Sequence, residues 1–215
     1  MEFGDAIMVK GGVALEMRLS RARATKDIDL RLEGNPNKLL QRLQAAGRLD
    51  EGDFFTFEVS RAKHPGVAGD GADVVTAPPD IVDSSEFMSF VKGLYPRSTH
   101  VAEKLHAMTL PRKTPNSRVR DLPDICLLSQ TGTFRASALR AAIDATFLFR
   151  DTHDVPAKLP APPCEWADRY KKIRDDAGLE WAALTEVFDA AANFIDPVLG
   201  SETGVWDPGA RRWVP

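Results

Sequence analysis

Residues 6–32 read AIMVKGGVALEMRLSRARATKDIDLRL. A short apolar run, AIMV (6–9), meets Lys10-Gly11-Gly12, and VALEMRL follows. This order predicts a strand, a tight glycine turn and a short helix. RARATKDIDLRL (21–32) then predicts a second strand. Strand alternation points Thr25, Asp27, Asp29 and Arg31 to one face and Lys26, Ile28, Leu30 and Leu32 to the other. The apolar face belongs to the core, and the polar face carries two carboxylates ~7 Å apart between Cα atoms. Two like charges on one sheet face repel unless a cation lies between them. Magnesium, held by one or two carboxylates and by substrate phosphates, removes that cost. Metal-assisted sites of this kind run in-line displacement at phosphorus. Asp-x-Asp on this strand is therefore either a metal–triphosphate platform or a solvated edge.

The surroundings bear on that choice. Gly11 and Gly12 stand between a strand and a helix, where backbone N–H groups either cradle a phosphate or simply make the turn. Arg18, Arg21, Arg23 and Lys26 surround the two acids. They either neutralise phosphate charge or form an ordinary solvated face.

Outward from this segment the pattern changes. PNKLLQRLQAAGRL (36–49) predicts an amphipathic helix, and DFFTFEVSR (53–61) another strand. HPGVAGDGADVVTAPPD (64–80) reads as a loop or boundary. From Thr99 onward the chain reads as helices over HVAEKLHAMTL, DLPDICLLSQ, FRASALRAAIDATFLF, WADRYKKIRDD and WAALTEVFDAAANFIDPVL. The segment PAKLPAPP (156–163) reads as a proline-rich linker, and TGVWDPGARRWVP as an extended end. The expected class is α+β: a small mixed-sheet unit with helices over 1–80, then a mainly helical unit over 81–215.

The 215 residues carry a formal net charge of −3, so any nucleic-acid or phosphate site is a local patch. Cys126 and Cys164 are too few for a disulfide framework or a zinc site, which suits a reducing cytoplasm. No apolar run is long enough to span a membrane.

In STHVAEKLHAMTL, Ser98 or Thr99 is placed to cap a helix whose apolar stripe is Val101, Leu105 and Met108. Lys104 falls on the same stripe, and His106 on the flank. An inward lysine needs an anionic partner, because burying an unpaired charge is costly. A triphosphate, Asp27 or Asp29 would serve; the alternative is a lysine that snorkels at the stripe's edge. Asp121 precedes a helical run with Pro123 in its first turn. It is either an N-cap or a further carboxylate, facing a metal or holding Lys104. Arg112, Lys113, Arg118 and Arg120 form a basic segment that either holds phosphates or is solvated.

Taken together, KGG-x-ALEMRL, R-x-TKDIDLRL and HVAEKLHAMTLPRKTPNSRVRDLPDICLL resemble the AbiEii-type nucleotidyltransferase toxins, through most of the chain including the WDPG tail. That family includes the MenT proteins and sits in the DNA polymerase β-like nucleotidyltransferase superfamily. The resemblance implies a toxin of a toxin–antitoxin system. Such a toxin transfers a nucleotide from an NTP to the 3′ acceptor end of tRNA, which stops translation, and it has a cognate antitoxin. It implies Asp27 and Asp29 as ligands for Mg2+ or Mn2+, Lys104 as the lysine of the EKLHA motif, and Asp121, with Asp124 second, as the later acid. It implies Thr25 as a hydroxyl that an antitoxin kinase can phosphorylate, setting negative charge beside Asp27. Superfamily sites usually add a third carboxylate; Asp73 is the acid standing in that part of this chain, and 64–80 is shorter than the resemblance implies. Two other readings are a nucleotidyltransferase acting on a small molecule or protein, and a degenerate nucleotide-binding module acting through its partner.

Overall fold

The computed structural model describes residues 7–18, 29–32, 36–48, 96–201 and 203–215. The first part of the second strand (21–28), the strand over 53–61 and the loop over 64–80 lie outside these residues. In chain order the elements are β1 (Ile7–Lys10), α1 (Gly11–Glu16), β2 (Asp29–Leu32), α2 (Pro36–Gly47), α3 (Arg97–Thr109), a 3-10 turn (Arg118–Arg120) and α4 (Asp121–Gln130). They continue with β3 (Phe134–Arg135), α5 (Ala136–Arg150), α6 (Trp166–Ala177), α7 (Leu184–Leu199), β4 (Val205–Asp207) and β5 (Arg212–Val214). Among the described residues the chain is α+β and mostly helical. Its contacts divide it into two units, Met1–Lys10 with Lys26–Leu94, and Gly11–Thr25 with Tyr95–Pro215.

In the first unit β1 and β2 pair antiparallel, with Val9 opposite Leu30 and Lys10 opposite Asp29. Val9 is fully buried and Asp29 is exposed, so the ribbon has a core side and a solvent side. α2 opens on Pro36, which a first helical turn tolerates because its missing N–H has no partner there in any case.

The second unit is built around α4, which is buried at every position from Asp121 to Ser129. A helix enclosed on all sides is a core helix, and α4 packs against α1, α3 and α7. Gly11 makes the turn into α1 with φ +68°, a left-handed conformation that costs other residues about 1–2 kcal/mol. Ala14 and Leu15 behind it are fully buried. α3 lays Val101, Leu105 and Met108 into the core and packs on α4 and α5.

Four local readings are corrected. α3 starts at Arg97, after Pro96, so neither Ser98 nor Thr99 caps it. Arg97 is held in the first turn by its guanidinium, which donates to the carbonyls of Thr131 (2.9 Å) and Thr133 (3.2 Å). Asp121 does not cap α4, because the 3-10 turn runs straight into it and Arg120 is already right-handed helical (φ −73°, ψ −26°). PAKLPAPP is less a linker than a strap: Leu159 is buried, and its N–H donates to Asp196 Oδ1 on α7 at 2.7 Å. α7 begins at Leu184 rather than Trp181, whose carbonyl instead accepts from the Tyr170 hydroxyl at 2.7 Å.

The chain's end is a hairpin, not an extended tail. β4 and β5 pair antiparallel, β3 pairs with β4, and Asp207 Oδ1 accepts from the N–H groups of Gly209 and Ala210 in the turn. Asp-Pro-Gly is a turn sequence, with aspartate bonding its own backbone two residues on. Trp206 and Trp213 lie against Phe194 of α7, at 4.8 and 5.7 Å between ring centroids. The Trp206 indole N–H donates to the Ser129 carbonyl of α4 at 2.9 Å.

Candidate active site

The charged centre of the helical unit is Lys104. Its side chain is only 10% exposed, so it points inward and does not snorkel. Nζ lies 2.7 Å from Asp124 Oδ2 and 3.3 Å from Asp121 Oδ1. The geometry follows from the helices: Lys104 sits on the buried stripe of α3, and Asp121 and Asp124, three apart on α4, share a face. Asp124 is fully buried and makes the shorter contact. The i, i+3 spacing of two acids in RDLPD was the signal that Asp124 belongs with Asp121.

Asp121 is the less satisfied acid. Its Oδ2 is buried without a hydrogen-bond partner, and Arg118 Nη1 lies 4.0 Å from it. Burial raises the Asp121 carboxyl above the usual aspartate range; the Lys104 charge opposes that and the Asp124 charge adds to it. The cluster is thus two acids sharing one ammonium in the core, with a second cation at its edge.

His106, assigned no role from sequence, is buried on the other side of α3. Its Nε2 lies 2.8 Å from the Thr152 hydroxyl, and its ring lies 4.9 Å from Phe147 and 4.8 Å from His153. His153 in turn bonds Thr109 at 2.8 Å. Burial first, then the His153 and Arg150 charges, push His106 down to about 4, against a smaller opposing effect of Glu103. The two imidazoles join α3 to the loop after α5.

Of the acids expected on the strand, Asp29 is exposed at the start of β2, across from Lys10. Gly11 and Gly12 form the turn and first residues of α1. Arg23, Thr25, Lys26, Asp27 and Asp73 lie outside the described residues. Arg118 is half exposed beside Asp121.

The family described as nucleotidyl transferase AbiEii toxin, type IV toxin–antitoxin system, matches residues 1–77 and 66–193. The chain belongs to the AbiEii toxin family. It is therefore a nucleotidyltransferase, and the family's type IV system pairs the toxin with an antitoxin. No curated protein matches the chain.

Nucleotidyltransferases use an NTP and a divalent metal. Among the described residues no three His, Cys, Asp or Glu side chains form a metal-binding group. Asp29 still fits the requirement, since an exposed carboxylate is a hard oxygen donor. Magnesium commonly takes one or two such donors and completes its shell with water and phosphate. Among the described residues no helix is long and apolar enough to cross a membrane.

Proposed function

We propose that this toxin transfers a nucleoside monophosphate from an NTP to the 3′ acceptor end of tRNA and so blocks translation. The observation that carries the reading is Asp29. In a chain of nucleotidyltransferase descent, its carboxylate is exposed on β2, two residues after Asp27 in the Asp-x-Asp pattern.

Asp27 and Asp29 would hold Mg2+ or Mn2+, which when bound neutralises triphosphate charge and polarises the phosphorus centre. The backbone of Gly11 and Gly12 binds phosphate oxygens, and Arg23, Lys26 and Arg118 add positive charge. Lys104 and Asp121 are the catalytic residues that the family resemblance assigns in the helical unit, where Asp121 and Asp124 fix the ammonium. The RNA 3′-hydroxyl oxygen bonds to the α-phosphorus as its proton passes to solvent, the bond from that phosphorus to the bridging oxygen breaks, and pyrophosphate leaves. The protein's contribution is positioning and charge neutralisation. Thr25 is the regulatory position: a phosphate there competes with the triphosphate and repels it.

The test is incubation of the chain with total tRNA and each labelled NTP, alongside Asp27→Ala and Asp29→Ala. Label on the tRNA 3′ end that both variants lose supports the reading. Undiminished transfer by either variant sinks the metal assignment, and label on protein or a small molecule instead sinks the acceptor.

A further inference from the structure

The segment PRKTPNSRVR (111–120) holds Arg112, Lys113, Arg118 and Arg120 and no carboxylate, in a chain of formal net charge −3. All four cations are exposed. The segment is nevertheless pinned. Asn116 Nδ2 donates to the Met108 carbonyl at 2.8 Å, and the Asn116 carbonyl accepts from the Trp166 indole at 2.7 Å. Its Oδ1 accepts from the Arg118 N–H at 3.0 Å, and Val119 is buried. Arg112 is tethered to the Ala107 carbonyl at 3.1 Å.

Beside this segment runs a groove of about 290 Å³ within the helical unit. Its lining includes apolar surface from Leu110 and the proline strap at Pro160, Pro162 and Pro163, and polar surface from Arg112 and Thr114. The volume sits at the lower edge of small-ligand sites, roughly 300–1,000 Å³, so it suits one small group rather than a folded peptide. Apolar lining together with Arg112, beside the further cations of the segment, matches a nucleotide, whose base stacks on apolar surface while its phosphates meet fixed cations.

We infer that this groove takes one unpaired nucleotide of the acceptor RNA, with the neighbouring phosphates on Arg112, Lys113 and Arg120. The inference rests on the tRNA reading and deepens it, by assigning the RNA strand residues of its own, Arg112, Lys113 and Arg120. Pinning matters because a preformed cationic loop does not have to be ordered when RNA binds.

The test uses the full chain without NTP or metal, so that binding is read separately from transfer. A fluorescent single-stranded RNA oligonucleotide is titrated by anisotropy across salt concentrations, against wild type, Arg112→Gln/Lys113→Gln/Arg120→Gln, and Arg112→Lys/Arg120→Lys. Three lost phosphate contacts flatten the log–log salt slope by about 2, given ~0.7 per contact on single strands. The penalty for moving from about 50 to 200 mM salt therefore shrinks roughly twentyfold. The lysine variant keeps the wild-type slope. Ala161→Phe, at an exposed position lining the groove, weakens binding without changing the slope. An unchanged slope in the triple glutamine variant overturns the inference, as does unchanged affinity in Ala161→Phe, or polyglutamate competing as well as RNA. If instead these binding results hold and tRNA takes no label, the transfer reading fails and the RNA foothold stands.

Discussion

Replacing Lys104 with methionine keeps the length and apolar stem of the side chain and deletes its charge. Two carboxylates, 2.7 and 3.3 Å from the ammonium, then stay in the core without it. Removing one partner of a buried ion pair costs about 3–5 kcal/mol, because the other charge remains desolvated. For a chain of this size that is a fall in Tm of about 6–20 °C. The decisive measurement is the coupling between Lys104 and Asp124. In the wild-type background Asp124→Asn breaks the 2.7 Å contact and destabilises. In the Lys104→Met background the 2.7 Å contact is already gone, so the same change should cost less than in wild type, by about 1 kcal/mol or more. Urea unfolding followed by tryptophan fluorescence reads this directly, since Trp166, Trp181, Trp206 and Trp213 all belong to the helical unit. Asp121 adds a pH signature. Its folded carboxyl is raised above the ordinary 3.8, so the fold favours its protonated form. Stability should rise as pH falls through that window, more steeply in Lys104→Met than in wild type. A Lys104→Met loss under about 1 kcal/mol, or equal destabilisation by Asp124→Asn in both backgrounds, would refute a buried shared ammonium.

Three further outcomes follow from the packing. His106 is pushed from 6.5 down to about 4, so protonation favours the unfolded chain, and stability should fall as pH drops through that window. His106→Gln should flatten that part of the curve, and a curve unchanged by the substitution rules the histidine out; the facing groups Glu103, Arg150, His153 and Asp154 stay in place as controls. Trp206→Phe keeps an aromatic ring against Phe194 but strips the Ser129 carbonyl of its donor, a loss of about 1–3 kcal/mol by chemical unfolding. Gly11→Ala forces a side chain into φ +68°, costing about 1–2 kcal/mol, and a neutral result in a thermal melt would contradict the left-handed turn.

Where local chemistry decides structure, the sequence was legible. Glycines after an apolar run predicted the turn at Gly11, and alternation in DLRL predicted a strand with one solvent side, matched by exposed Asp29 and by buried Val9 on the partner strand. The 3.6-residue stripe through Val101, Leu105 and Met108 predicted that Lys104 points inward. The motifs carried the family, because they report descent as well as folding.

Sequence could not say which anion answers Lys104. A helical stripe states that a side chain turns inward, but the partner depends on which helix arrives opposite, and that contact joins residues 17 and 20 positions apart. Asp124 ranked below Asp121 because the order of two acids on one helix carries no depth; the enclosure of α4 by α1, α3 and α7 supplies it. The same holds for the hairpin at the chain's end, whose Asp-Pro-Gly turn is local while its strand pairing needs β3, some seventy residues earlier. Periodicity and turn chemistry are properties of neighbours along the chain. Ion pairing and burial are properties of neighbours in space, and only the packed core assigns them.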